Sequence, residues 1–124
     1  MNLRTKRRLL KLVDKLKTVP QEQFNMDVWR STICGTVSCA CGWACEIPEF
    51  KKRGLYLQRY FGESYELRYK HFSAYEAAAK FFGLNMSACR HLFSPLYYKN
   101  AAPTLEEVIE RIQNFVSNWN LYKP

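Results

Sequence analysis

Residues 34–45, CGTVSCACGWAC, hold four of the chain's five cysteines. The stretch 37–46, VSCACGWACE, has almost no polar side. A helix that is apolar all round has to be buried on every side. Its Ala, Cys and Gly residues are small enough to let neighbouring backbones come close. With Thr36 as N-cap, the run predicts a buried helix over 36–46 around which the other elements pack.

The cysteines raise three chemistries beyond packing. Structural zinc sites usually bring together two closely spaced Cys or His pairs. Here Cys34, Cys39, Cys41 and Cys45 are spaced so that Cys41 and Cys45 share a helix face, whereas Cys39 and Cys41 point away from each other. The four are weak metal candidates, and neither metal nor cofactor is expected. A nucleophile needs a base within reach, and only His71 and His91 are present. Cys34 precedes the expected helix, where the dipole would lower a thiol pKa. Cys34 and Cys39 are also close enough in sequence to form a redox pair. An odd cysteine count rules out complete intramolecular pairing. Charges break up the N-terminal segment before a signal-type apolar run forms, and no run is long enough for a membrane span. The expected compartment is the cytoplasm, where thiols stay reduced. Core packing is the favoured reading and no catalytic residue is assigned; a thiol enzyme or a zinc protein stands as the further alternative.

The remaining pattern is mainly α: a compact single-domain helical fold over 1–124, with a small β-hairpin as its α+β component. Leu9, Leu12, Val13 and Leu16 give a helix over 4–17 a 3.6-residue apolar period. Phe24, Met26 and Trp29 are irregularly spaced anchors in a connection. Pro48 opens a short helical turn that Gly54 ends. Alternation in LYLQR and YELRY, with a turn between them, predicts a hairpin over 55–70. Ser73 with Glu76 forms a capping-box pattern before a helix over 74–82. Asn85 caps a helix over 86–93. Thr104 with Glu107 opens a helix over 104–119, whose apolar face reaches Phe115, Val116 and Trp119 and offers a homo-oligomer contact.

The net charge of +8 is uneven. Seven basic residues stand against Asp14 in residues 1–19. Such a field attracts nucleic acid, nucleotides or an acidic protein. Arg4, Arg8, Lys11 and Lys15 form a basic stripe on the first helix. Residues 51–75 interleave basic and aromatic side chains, the mixture that stacks bases and holds phosphates, and Arg59, Tyr65, Arg68 and Tyr69 are the candidate contacts there. The expected function is a non-enzymatic binding protein for an anionic partner: a nucleotide, a nucleic acid or an acidic protein surface.

A second reading comes from AAAKFFGLNMSACRHLF, which fits a DNA-binding helix-turn-helix with its turn at Gly83. Ser87, Arg90 and His91 would face the groove, with Asn85 at its entry. Two short helices joined at a glycine give the same spacing without that function.

CGTVSCACGWA and the later AAAKFFGL resemble a family of small bacterial and phage proteins with a CGTxxCxxGWA core. The matching positions are Cys34, Gly35, Thr36, Cys39, Gly42, Trp43 and Ala44, then Ala78, Ala79, Phe82, Gly83, Leu84, Leu92 and Phe93. The resemblance spans most of 24–116. It implies a setting, host interaction or counter-defence, rather than a chemistry. Cys41 and Cys45 fall outside its pattern, which argues further against a four-cysteine metal site.

Overall fold

The computed structural model describes residues 2–32, 36–62 and 64–119. Helix α1 runs Leu3–Leu16, α2 Ala40–Ala44, α3 Pro48–Lys52, α4 Ala74–Phe82, α5 Met86–Phe93 and α6 Leu105–Ser117. Strands β1 (Leu55–Arg59), β2 (Tyr65–Tyr69) and β3 (Phe72–Ser73) form an antiparallel sheet in that order. The fold is a helix-dominated α+β arrangement, less purely α than the sequence pattern suggests, because the hairpin continues into a third strand. β3 is only two residues long and leaves no alternation to read.

α1 forms because Asn2 caps it, its side chain accepting from the Thr5 amide at 2.8 Å, and because Leu9, Leu12, Val13 and Leu16 fall on one face and are buried. Each contributes about 1.5–3 kcal/mol of burial. That face packs on α2, α4 and α6. α6 closes the other side of the core with Leu105, Val108, Ile112 and Phe115. Its capping box is complete: Thr104 Oγ1 accepts from the Glu107 amide at 3.2 Å, and Glu107 accepts from the Thr104 amide at 3.0 Å.

The Cys-rich helix is shorter than the 36–46 expected. Only Ala40–Ala44 is helical, with Cys39 as an N-cap whose side chain makes no capping bond. Val37 and Ser38 are extended and bridge Ser31 and Phe24. The Cys39 amide donates to the Val28 carbonyl at 2.9 Å. The connection before it therefore satisfies backbone groups that a longer helix would have used internally. The short helix is buried throughout, as its composition requires. Gly42 is required there, because a Cβ would lie 2.1 Å from the Trp29 carbonyl oxygen.

The sheet packs on α4 through Leu55 and Leu67, which are opposite-strand residues on one face. Phe50, Tyr69, Phe81, Phe82 and Phe93 form a run of tilted and edge-to-face ring contacts, with centroids 4.8–5.9 Å apart. The Ser73 capping box is not formed: Ser73 makes no side-chain cap bond, and Ala74 takes φ 55° as β3 turns directly into α4. α4 ends at Gly83 (φ 73°), where Thr5 of α1 packs so closely that a Cβ would meet Thr5 Oγ1 at 2.6 Å.

Arg8 completes this junction. It is 4% exposed, donates Nη1 to the Phe81 carbonyl in the last turn of α4, and lies 4.3 Å from the Phe81 ring centroid. Urea unfolding of Arg8→Ala is expected to show a loss of about 2–4 kcal/mol, since a buried carbonyl loses a charged donor. Arg8→Lys should recover only part of it, lacking the planar fork. Gly42→Ala is expected to cost about 3 kcal/mol through the clash with Trp29. A midpoint within error of the parent for either Ala variant would contradict this packing.

Candidate functional site

The structure separates the basic stripe of α1 into inner and outer residues. Arg8 faces inward on α4. Lys15 is half-buried, its Nζ 5.8 Å from the Trp43 ring centroid. Lys11 lies at the edge, its Nζ 3.1 Å from Glu49 Oε1 on α3. Arg4 is exposed. The buried arc of α1 is wider than its leucines alone indicate, because Thr5 and Arg8 are drawn in by the end of α4. The outermost line is instead Leu3, Lys6, Arg7, Leu10, Lys11 and Asp14, which together line a shallow groove of about 370 Å³. Leu3 is 83% and Leu10 38% exposed.

Arg53, just past α3, adds to this edge. The Glu49 carboxyl is held below its usual value by the Lys11 hydrogen bond first, against desolvation, which raises it, and with the smaller help of the Lys11, Arg7 and Arg53 charges. Arg8 is shifted down by burial and also feels the charges of Arg4 and Arg53. Arg7, Lys11 and Arg53 therefore gather around one carboxylate. Lys6, Arg7 and Arg53 were not singled out by the sequence reading. The signal was there in the spacing of Leu3 and Leu10, which mark the helix face opposite the core.

The hairpin candidates do not form one site. Tyr69 faces the core, edge-on to Phe81 at 5.2 Å. Arg68 is half-buried on the other face of the sheet, opposite Ser73. Arg59 and Tyr65 pair across the far end, about 13 Å along the strand from Tyr69. Arg59 Nε donates to the Gly62 carbonyl at 3.4 Å. Tyr65 lines a cleft of about 270 Å³ with Arg30, Glu46 and Lys51 among others. Arg30, also unanticipated, is mainly a brace: it donates to Ser38 Oγ at 3.0 Å and to the Gly42 carbonyl at 3.2 Å.

The helix-turn-helix candidates also divide. The Asn85 side chain caps α5, accepting from the Ala88 amide at 2.8 Å. Ser87 and Arg90 are exposed. His91 is half-buried towards α6, and its carbonyl accepts from Arg111 Nη1 at 2.8 Å. Burial, then the Arg111 charge, pushes its imidazole pKa down. It lines a cleft of about 360 Å³ that contains Glu107 and Glu110. Two acids beside it suit a phosphate poorly. Two of the four candidates thus remain on an outward face of α5.

Cys34 lies outside the described residues. Cys39, Cys41, Cys45 and Cys89 are free and buried. No cluster of three or more metal-type ligands occurs among the described residues. Burial pushes the Cys39 thiol up to about 11 and those of Cys45 and Cys89 to about 12, and raises Cys41 as well. At neutral pH these four are protonated, poor nucleophiles and poor metal ligands. They pack the core as small apolar groups.

No family model, curated protein or solved structure matches the chain.

Two outcomes follow for the thiols. In the folded protein, Cys39, Cys41, Cys45 and Cys89 should resist alkylation at about pH 8 and react once urea unfolds the chain, as peptide mass mapping would show. Their folded pKa values lie above the unfolded one, so the stability they contribute is complete below about pH 9 and falls as pH rises towards 11–12. Urea midpoints should therefore hold up to about pH 8 and decline between about pH 9 and 11. Fast native-state labelling of any of the four would overturn the packing role.

Proposed function

We propose that this chain is a non-enzymatic binding protein that engages an anionic macromolecular partner through the outer face of α1. One observation carries the reading: the charges on that face work against the helix that bears them. α1 has no acid in its first turn, where the helix dipole favours one. It carries Arg4 there instead. Arg4–Arg7 and Arg7–Lys11 are like-charge neighbours three and four residues apart, each destabilising by about 0.2–0.5 kcal/mol. Among the described residues, no ion pair engages Arg4, Lys6 or Arg7. Arg8, by contrast, is used by the fold. Cations that weaken their own helix and form no close ion pair among the described residues, Arg7 acting on Glu49 only at longer range, suit an external anion. The two apolar residues between them, Leu3 and Leu10, suit contact rather than steering alone.

The burial of the described thiols favours binding over thiol chemistry, and the division of the helix-turn-helix candidates favours α1 over α5.

The reading makes stability and binding move in opposite directions. Arg4→Glu should raise folding stability by about 0.3–1 kcal/mol by complementing the dipole. Arg4→Glu combined with Lys6→Glu and Arg7→Glu should weaken binding to heparin or a duplex oligonucleotide by at least about tenfold and flatten its salt dependence. Fluorescence anisotropy across a salt series, with urea unfolding alongside, measures both. Polyanion binding unchanged in the triple variant would sink the proposal.

A further inference from the structure

We propose that the outer face of α1 is a helix-docking seam for an acidic amphipathic helix of a partner protein. This rests on the α1 reading above and narrows it to one class of partner.

Leu3, Arg7, Leu10 and Asp14 recur at intervals of four, three and four residues on α1. That is the alternation of the two seam positions in a paired helix. The leucines occupy one of them, a and d being the conventional letters, at d. Arg7 and Asp14 occupy a. Arg4 and Lys11 then fall at the flanking e positions and Lys6 at a flanking g. Thr5, Arg8, Leu9 and Leu12 occupy the opposite face and are buried in the core. The seam therefore points directly away from the molecule, on a helix whose rotation is fixed. The two leucines lie about 10.5 Å apart along the axis, or two turns, and the groove they line has a volume of about 370 Å³.

Charge selects the occupant. Flanking positions set partner choice in paired helices through opposite charges. The three flanking residues that lie outside the core, Arg4, Lys6 and Lys11, are basic, while the fourth, Val13, is buried, so the matching helix carries acids beside an apolar stripe. Arg7 within the seam also asks for an acid opposite it. Lys11 is already engaged by Glu49, which leaves Arg4, Lys6 and Arg7 as the principal contacts. A second copy of this chain is disfavoured in either direction. A parallel pairing sets Lys6 against Lys11 of the other copy, and an antiparallel one sets like flanks together, so both juxtapose basic groups. A duplex would use the cations but leave Leu3, 83% exposed, in water.

The experiment compares three probes on the full chain. One is a synthetic helical peptide of about fourteen residues, two heptads long, with Leu at d, Glu at e and g, and Glu at the a position that meets Arg7. The second is a scrambled peptide of the same composition. The third is a duplex oligonucleotide. The ordered peptide should bind at least about tenfold more tightly than the scrambled one, with much of that difference surviving high salt. The double substitution Leu3→Gln and Leu10→Gln should remove that preference, so that the ordered and scrambled peptides bind alike. Both leucines are exposed, so the variant should fold; its urea midpoint checks that. Equal binding of ordered and scrambled peptides, or an ordered-peptide affinity indifferent to the leucine changes, overturns the seam while leaving a general anion-binding face intact. If neither peptide nor duplex responds to Arg4→Glu, Lys6→Glu and Arg7→Glu, the seam and the α1 reading fall together.

Discussion

The contact between Arg8 and the end of α4 governs how this molecule presents itself. A buried guanidinium without a carboxylate would cost several kcal/mol in an apolar interior. Here the last turn of α4 offers a carbonyl and the Phe81 ring offers its face at 4.3 Å. The negative end of the helix dipole favours a cation at this place by up to about 2 kcal/mol in a partly buried setting. Thr5 sits against Gly83 one turn earlier. Together these contacts fix the rotation of α1 about its own axis, and with it the identity of the residues that face outward.

α1 and α6 are legible in the sequence because each is half buried, and half burial leaves a 3.6-residue period. The same logic explains where legibility fails. The Cys-rich run is buried on all sides, so its composition predicts burial but carries no period to mark an end. Its length is set by backbone partners in 23–31, far too irregular a segment to read. Ser73 and Glu76 have the residue types of a capping box, yet the strand-to-helix turn at Ala74 takes a geometry that leaves Ser73 without its bond. Thr104 and Glu107 have the same types and do form the box. The difference lies in tertiary context, not in the motif.

The binding candidates show a related limit. Composition marks Arg4 and Arg8 as equivalent cations, one turn apart. Only the position of the α4 C-terminus distinguishes them, and that position is set by residues far along the chain. The hairpin aromatics divide for a similar reason: strand alternation puts Tyr69 and Arg68 on opposite faces, so a dense basic-aromatic composition does not amount to a dense site. The cysteines are the converse case. Their clustering in sequence suggests shared chemistry, but in the fold Cys39, Cys41 and Cys45 serve close packing next to Gly42, and burial holds each of them as a neutral thiol.

Because the inner face of α1 is pinned, its outer face is a preformed surface. A partner docking there would not have to order this helix first, and ordering is among the larger costs of association. The first turn is the weak point, since helix ends fray and Leu3 and Arg4 both lie in it. Asn2 holds that turn by accepting the Thr5 amide, and the Thr5 side chain is in turn seated against Gly83. The outward position of Leu3 thus depends on a chain of contacts that begins at the end of α4 and passes through the core side of α1. The proposed docking face and the fold meet in the same short stretch, residues 2–8 at the amino end of the helix, and in the glycine that ends α4, even though the charges on the two faces act in opposite senses on stability.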